Sequence, residues 1–160
     1  MKQEIINKLP PDVKKEFMKY AIKLDQKKTE NKVKSDFLSF VKHVWPEFIE
    51  GDHHKKIAEK FNRLAEGKAK RIIINMPPRH TKSEFSSYLL PAWMVGRKPN
   101  LKIIQTTHTT ELAIRFGRKA KTLIDSPEYQ QVFKTRLRED SQAAGKWETE
   151  QGGEYYAAGV

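Results

Sequence analysis

The stretch from Arg71 to Ser83, Arg-Ile-Ile-Ile-Asn-Met-Pro-Pro-Arg-His-Thr-Lys-Ser, constrains the fold more than any other part of the chain. Its continuous apolar run, Ile72, Ile73 and Ile74, has the character of a strand buried on both faces of a parallel sheet. The run ends in a polar turn. The turn delivers Lys82 and Ser83 at the head of a helical pattern in which Phe85, Tyr88, Leu89 and Ala92 recur. Strand, loop and helix in that order are the layout of a loop that holds phosphate: backbone N–H groups converge on the anion, a lysine reaches its outer oxygens and a hydroxyl binds Mg²⁺. The usual pattern, G-x-x-x-x-G-K-S/T, has glycine where this chain has Met76 and Thr81, and here Pro77 and Pro78 stiffen the turn by fixing φ. An ordinary strand–turn–helix carrying an incidental Lys-Ser pair would read the same way. The residues alone leave both readings open.

The remaining pattern divides the chain in two. Residues 1–34 are rich in lysine: Pro10 and Pro11 open a helix with Val13, Phe17, Tyr20, Ala21 and Leu24 along one face, and residues 26–34 read as a charged linker. From residue 35 to 160 the pattern is that of one α/β unit. Ser35 is the expected N-cap of a helix that packs Phe37, Leu38, Val41 and Val44 and stops at Trp45-Pro46. Asp52 is the expected cap of a second helix, packing Ile57, Phe61 and Leu64 and ending at Gly67. A strand, Leu101 onward, then leads to a helix capped by Thr109 or Thr110, and Tyr155, Tyr156 and Ala157 close the sequence as a strand after a polar stretch. Such alternation predicts an α/β fold with a parallel sheet and flanking helices, preceded by N-terminal helices.

Composition excludes some classes and favours others. Without cysteine there is no disulfide framework and no Cys-based metal site, as suits a reducing cytosol. No apolar run approaches the roughly 20 residues of a membrane span, and the N-terminus lacks the apolar core of a signal peptide. Net charge is +11 over 160 residues, which suits either a polyanionic partner or plain solubility. Between Arg115 and Arg138 the bias is local: seven basic residues stand against Asp125 and Glu128. On the helix there, Arg115, Arg118, Lys119 and Lys121 fall opposite Leu112, Ala113, Phe116, Ala120 and Leu123. That stripe is either a solvated face or a track for DNA phosphates.

The loop NMPPRHTKSE over residues 75–84 resembles the deviant Walker A loop of the large terminase subunit, the DNA-packaging ATPase of tailed bacteriophages. Many members have a Pro-Pro-Arg-His turn before a small residue and Lys-Ser; Thr81 stands where that residue is usually glycine. DHHKKIAE over 52–59 resembles the helix before the family's first ATPase strand, residues 101–124 its second strand and following helix, and GGEYYAAGV over 152–160 the segment before its Walker B strand. The similarity spans roughly residues 37–160.

The resemblance implies a P-loop NTPase-type sheet of which this chain holds the front half. In the family the Walker B strand and an RNase H-like nuclease domain follow further on. No carboxylate here qualifies as Walker B: Asp125 follows only Leu123 and Ile124 at a helix end. The expectation is therefore a chain that binds ATP and Mg²⁺ but hydrolyses poorly alone. By the same resemblance Lys82 holds the β- and γ-phosphates, Ser83 ligates Mg²⁺, and Arg79 stabilises the transferring phosphoryl group. Pro78, His80, Thr81 and Glu84 complete the loop contacts, and His54 is a candidate adenine neighbour as well as a candidate structural histidine. Arg115, Arg118 and Lys121 are candidate contacts to double-stranded DNA. Thr107 and His108, at the strand end, are either site residues or part of a helix cap. The full-length protein would package viral DNA from the host cytoplasm as a homo-oligomeric ring on the portal protein, beside the small terminase subunit, with no membrane partner. Another P-loop motor such as a helicase, or a non-enzymatic basic DNA-binding module, are the alternatives.

Overall fold

The computed structural model describes residues 10–160, so the part of the lysine-rich segment before Pro10 lies outside the described residues. Helix α1, Pro11–Ser35, starts where the paired prolines require, because proline at the first helical position has no N–H to leave unbonded. It then runs unbroken through residues 26–34, where a linker was expected. Charge density does not break a helix built mostly of straight-chain residues, and the Glu30–Lys34 pair lies one turn apart on its surface. The apolar face stays open: Val13, Phe17, Tyr20 and Leu24 are all exposed, and Val33 alone among the helix residues is buried. Trp93 Nε1 donates to the Val33 carbonyl at 3.1 Å and ties the end of α1 to the core.

Helix α2, Phe37–Val44, is capped one residue later than expected, by Asp36. Ser35 is still the last residue of α1, with its hydroxyl turned back to donate to the Lys32 carbonyl, so the Asp36 carboxylate is the group placed to accept. Asp36 accepts from the Ser39 N–H at 2.8 Å, the Ser39 hydroxyl at 2.6 Å and Asn62 Nδ2 at 2.8 Å; Asn62 Oδ1 in turn accepts from the Phe37 N–H at 2.8 Å. Burial pulls the Asp36 pKa up, but the bonds from Ser39 and Asn62 outweigh it and hold the carboxyl below its ordinary value. That network locks α2 to α3, Asp52–Ala65, whose cap is Gly51 rather than Asp52. Phe37 then sits at the centre of an aromatic core, fully buried against Phe40, Phe61, Phe85 and Trp93.

The run Ile72 to Ile74 is extended but forms no strand. Side chains alternate as in a strand, with Ile72, Ile74 and Met76 against the core and Ile73 88% exposed. No neighbouring strand bonds to it among the described residues, and backbone groups make a ladder only with a partner. The helical run after the loop begins as a π-helix, Glu84–Leu89, and continues as α4, Leu90–Arg97. Pro91 explains the widening: its ring would clash with the carbonyl one α-turn back and it has no N–H to donate there.

The sheet has four strands: β1, Lys102–Thr107; β2, Leu137–Ala143; β3, Lys146–Thr149; and β4, Glu154–Gly159, in the order β1-β4-β3-β2. Among the described residues only β1 and β4 pair parallel, with Lys102 opposite Glu154 and Thr107 opposite Gly159. Strands β2, β3 and β4 pair antiparallel, so the sheet is mixed, against the expected parallel one. The difference lies in the polar stretch before β4, which folds as a hairpin; a tight turn suffices to join antiparallel strands. Its inward positions, Trp147 and Thr149, are buried, and Trp147 stacks on Tyr155 at 4.7 Å.

Between β1 and the hairpin lie α5, Thr110–Ile124, and the short α6, Pro127–Val132. Helix α5 lies close on the sheet because Gly117 has no side chain: a Cβ there would stand 2.6 Å from the Ala144 carbonyl oxygen. Trp147 Nε1 donates to the Gly117 carbonyl at 3.2 Å in that gap. The fold is thus α/β, a mixed four-stranded sheet with flanking helices. Among the described residues, no helix is long and apolar enough to cross a membrane.

Candidate phosphate-binding site

The loop between the extended Ile72–Met76 segment and the π-helix encloses an open hollow of about 590 Å³, lined by residues 76–79 and 81–84. Two of its non-glycine residues have left-handed backbone, Arg79 at φ 64° and Thr81 at φ 58°. Such positions roll successive peptide units toward a common concavity, the geometry of anion nests. They are sterically costly without glycine, most of all for β-branched Thr81.

Internal hydrogen bonds hold the roll. His80 Nδ1–H donates to the Pro78 carbonyl at 2.9 Å, and the Thr81 hydroxyl donates to the His80 carbonyl at 2.7 Å. The Phe85 N–H donates to the Thr81 carbonyl at 2.9 Å, which starts the helical run right at the loop. Lys82 Nζ reaches across the turn to the Met76 carbonyl at 3.5 Å, a long bond that an incoming anion can replace. Ser83 is exposed at the lip, in helical conformation, and its side chain makes no capping bond.

The structure brings together Pro78, Arg79, Thr81, Lys82, Ser83 and Glu84 around the hollow, and leaves His80 and His54 off its lining. The His80 ring is exposed and approaches His53, 5.7 Å between centroids. His54 is buried beneath the loop, between Phe48 at 4.8 Å and Phe85 at 5.0 Å, and touches the loop through Thr81 at 2.7 Å. Its pKa is pushed down, first by burial and then by the neighbouring His53 and His80, with Glu50 pulling the other way.

Glu84 points its carboxylate away to Lys119, which donates at 2.8 and 2.9 Å. Among the described residues that line the hollow, it alone carries a carboxylate, and Lys119 neutralises it. Arg79 and Lys82 therefore dominate the local field, and the hollow favours an anion. Lys119, which also stands 5.3 Å over the Tyr88 ring, thereby leaves the expected basic stripe of α5.

Arg115 and Arg118 are exposed on that helix and Lys121 is half-buried. Arg118 borders two shallow hollows, one shared with Arg115 and His108 and one with Lys121 and Asp125. The strand end reads mostly as a cap: Thr107 donates to the Thr109 carbonyl at 2.7 Å, and Thr109 accepts from the Leu112 N–H.

No protein-family model matches this sequence, and neither curated proteins nor solved structures give a match.

Sequence reasoning missed two pairings at the site, Lys119 with Glu84 and His54 with Thr81, which join residues 35 and 27 positions apart. For the second a signal existed. A threonine where phosphate loops place glycine needs something to hold it.

Proposed function

We propose that the 75–84 loop binds the phosphates of ATP with Mg²⁺, and that the chain is the nucleotide-binding part of a DNA-packaging motor of the large terminase type. One observation carries the reading. Lys82 and Ser83 open a helical run at the lip of an anion-favouring hollow whose backbone is rolled by two left-handed residues. The positive end of the helix adds to that field.

Lys82 leaves its long bond to Met76 for the outer phosphate oxygens. Arg79, exposed on the rolled loop, meets the charge on the γ-phosphoryl group as it transfers. Ser83 fits a Mg²⁺ ligand because its hydroxyl serves no cap and its place is the hollow's lip. An ion carried on a nucleotide needs only one or two protein ligands, the rest being phosphate oxygens and water. Mg²⁺, when bound, neutralises charge across the β- and γ-phosphates.

Displacement of a fluorescent ATP analogue tests this reading. ATP, ADP and pyrophosphate should compete and adenosine should not, since the loop grips phosphate. Absence of saturable analogue binding, or displacement by adenosine alone, would end the proposal.

The packaging part of the reading adds double-stranded DNA along the exposed face of α5, with portal protein, small terminase subunit and further copies in a ring as partners. Exposed Arg115 and Arg118 beside Lys121 favour it, as does the charge of +11. Reversing Arg115, Arg118 and Lys121 to glutamate should weaken binding to every duplex alike and flatten the salt slope by roughly one unit for each DNA phosphate no longer neutralised. Fluorescence anisotropy across a salt series measures it. Deleting residues 1–28 in parallel, which stops short of the buried Val33, controls for most of the lysines of α1: loss of all binding there, with none from the reversal, would move the DNA path off α5. Duplex binding without any nucleotide binding would favour the plain basic DNA-binding module.

A further inference from the structure

We infer that His54 is a positioning residue for the phosphate loop: it holds the Thr81 hydroxyl and so keeps Thr81 in the left-handed conformation that glycine adopts unaided. The inference rests on the phosphate-binding reading for its functional consequence, though not for its geometry.

Thr81 is β-branched and sits at φ 58°, a conformation that persists only where the surroundings over-determine it. Two bonds to one oxygen do so. The Thr81 hydroxyl donates to the His80 carbonyl at 2.7 Å, so its oxygen is left to accept from His54 Nε2–H, also at 2.7 Å. The other ring nitrogen sets that tautomer. His54 Nδ1 accepts the Gly51 N–H at 2.9 Å and must be unprotonated, which leaves the proton on Nε2, facing Thr81.

The ring itself cannot drift. It is only 5% exposed, wedged between Phe48 and Phe85, at the third position of α3, whose cap it helps to close. A chain of bonds thus runs from the start of α3 through the imidazole to the residue directly before Lys82 and Ser83. Rotating Thr81 out of the left-handed region would re-aim the peptide units that carry both. The imidazole preforms the loop before any ligand arrives, and preformed sites lose less ordering entropy on binding.

The test combines affinity for a fluorescent ATP analogue with hydrogen exchange at the amides of residues 79–84 in nucleotide-free protein. Thr81→Val keeps the branched shape and removes the hydroxyl; it should speed loop exchange and weaken analogue binding about tenfold, as loss of a partly buried hydrogen bond does, and Thr81→Ser should recover most of both. His54→Ala should also cost about tenfold in the native chain, but less than threefold when Thr81→Gly is already present, because glycine needs no clamp.

Unchanged exchange and affinity in Thr81→Val, or an equal loss from His54→Ala in both backgrounds, would overturn the inference. Should His54→Ala fail to fold, the half-buried Thr81 series decides alone. Should the native chain bind no nucleotide, the phosphate reading fails, and exchange at the loop still decides the clamp.

Discussion

Replacing Lys82 by alanine should weaken nucleotide binding by about 2–3 kcal/mol, roughly 30- to 150-fold, with little change in stability. The size follows from what the ammonium exchanges on binding. In the free protein its bond to the Met76 carbonyl is long, 3.5 Å, and the side chain is half-buried, so little of the fold depends on it. Against a triphosphate the same group would make charge-assisted bonds, about twice as strong as neutral ones. Glu84 does not blunt the effect, since Lys119 already holds its carboxylate. Isothermal titration of both proteins with Mg·ATP, beside urea unfolding, separates the two quantities. Equal affinity in the mutant would remove Lys82 from the site. A matching loss of stability would instead make it a structural residue.

Replacing Phe37 by alanine should be the most damaging single truncation in the helical core, at about 3–5 kcal/mol. The ring has no exposed surface and meets four others, Phe61, Phe85 and Trp93 at 5.0 to 5.4 Å and Phe40 at 6.4 Å. Phe61, Phe85 and Trp93 meet it edge-to-face, a geometry that adds to plain area burial. Against a typical domain stability of about 5–15 kcal/mol the loss is a large share.

The loss should also reach the site. Phe85 belongs to the π-helical stretch that follows Ser83, and it packs on both Phe37 and His54. Phe37→Ala should therefore lower the urea midpoint sharply and weaken analogue binding even where the protein is still folded. Phe37→Leu, which leaves less of a cavity, should do both to a smaller degree. A midpoint shift worth less than about 1 kcal/mol would mean that the core closes over the gap and that Phe37 is not its centre.

Much of what matters for the site was legible from sequence, because it is local. Lys82 and Ser83 stand at the head of a helical run after a proline-stiffened turn, as the spacing of Pro77, Pro78, Phe85 and Leu89 indicates. The helices over 37–44, 52–65 and 110–124 follow from apolar periodicity and from capping groups within four residues. Even there a cap moved by one, from Ser35 to Asp36, because Asn62 on another helix chose the carboxylate.

What sequence alone determined, then, is the order of chemistry along the chain: a rigid polar turn, Lys-Ser, a helix, a basic helix further on, all set by interactions between near neighbours. Only the tertiary structure decided which extended segments pair. Ile72, Ile73 and Ile74 are the most strand-like residues in the chain and lie unpaired among the described residues, while the polar residues around Trp147 form a hairpin. Strand pairing joins residues distant in sequence, and β-propensity records a fit to neighbours that the local sequence does not contain. The same holds at the loop. Thr81 reads as a defect in the motif until the fold sets His54 beneath it, 27 residues away in sequence and 2.7 Å away in space.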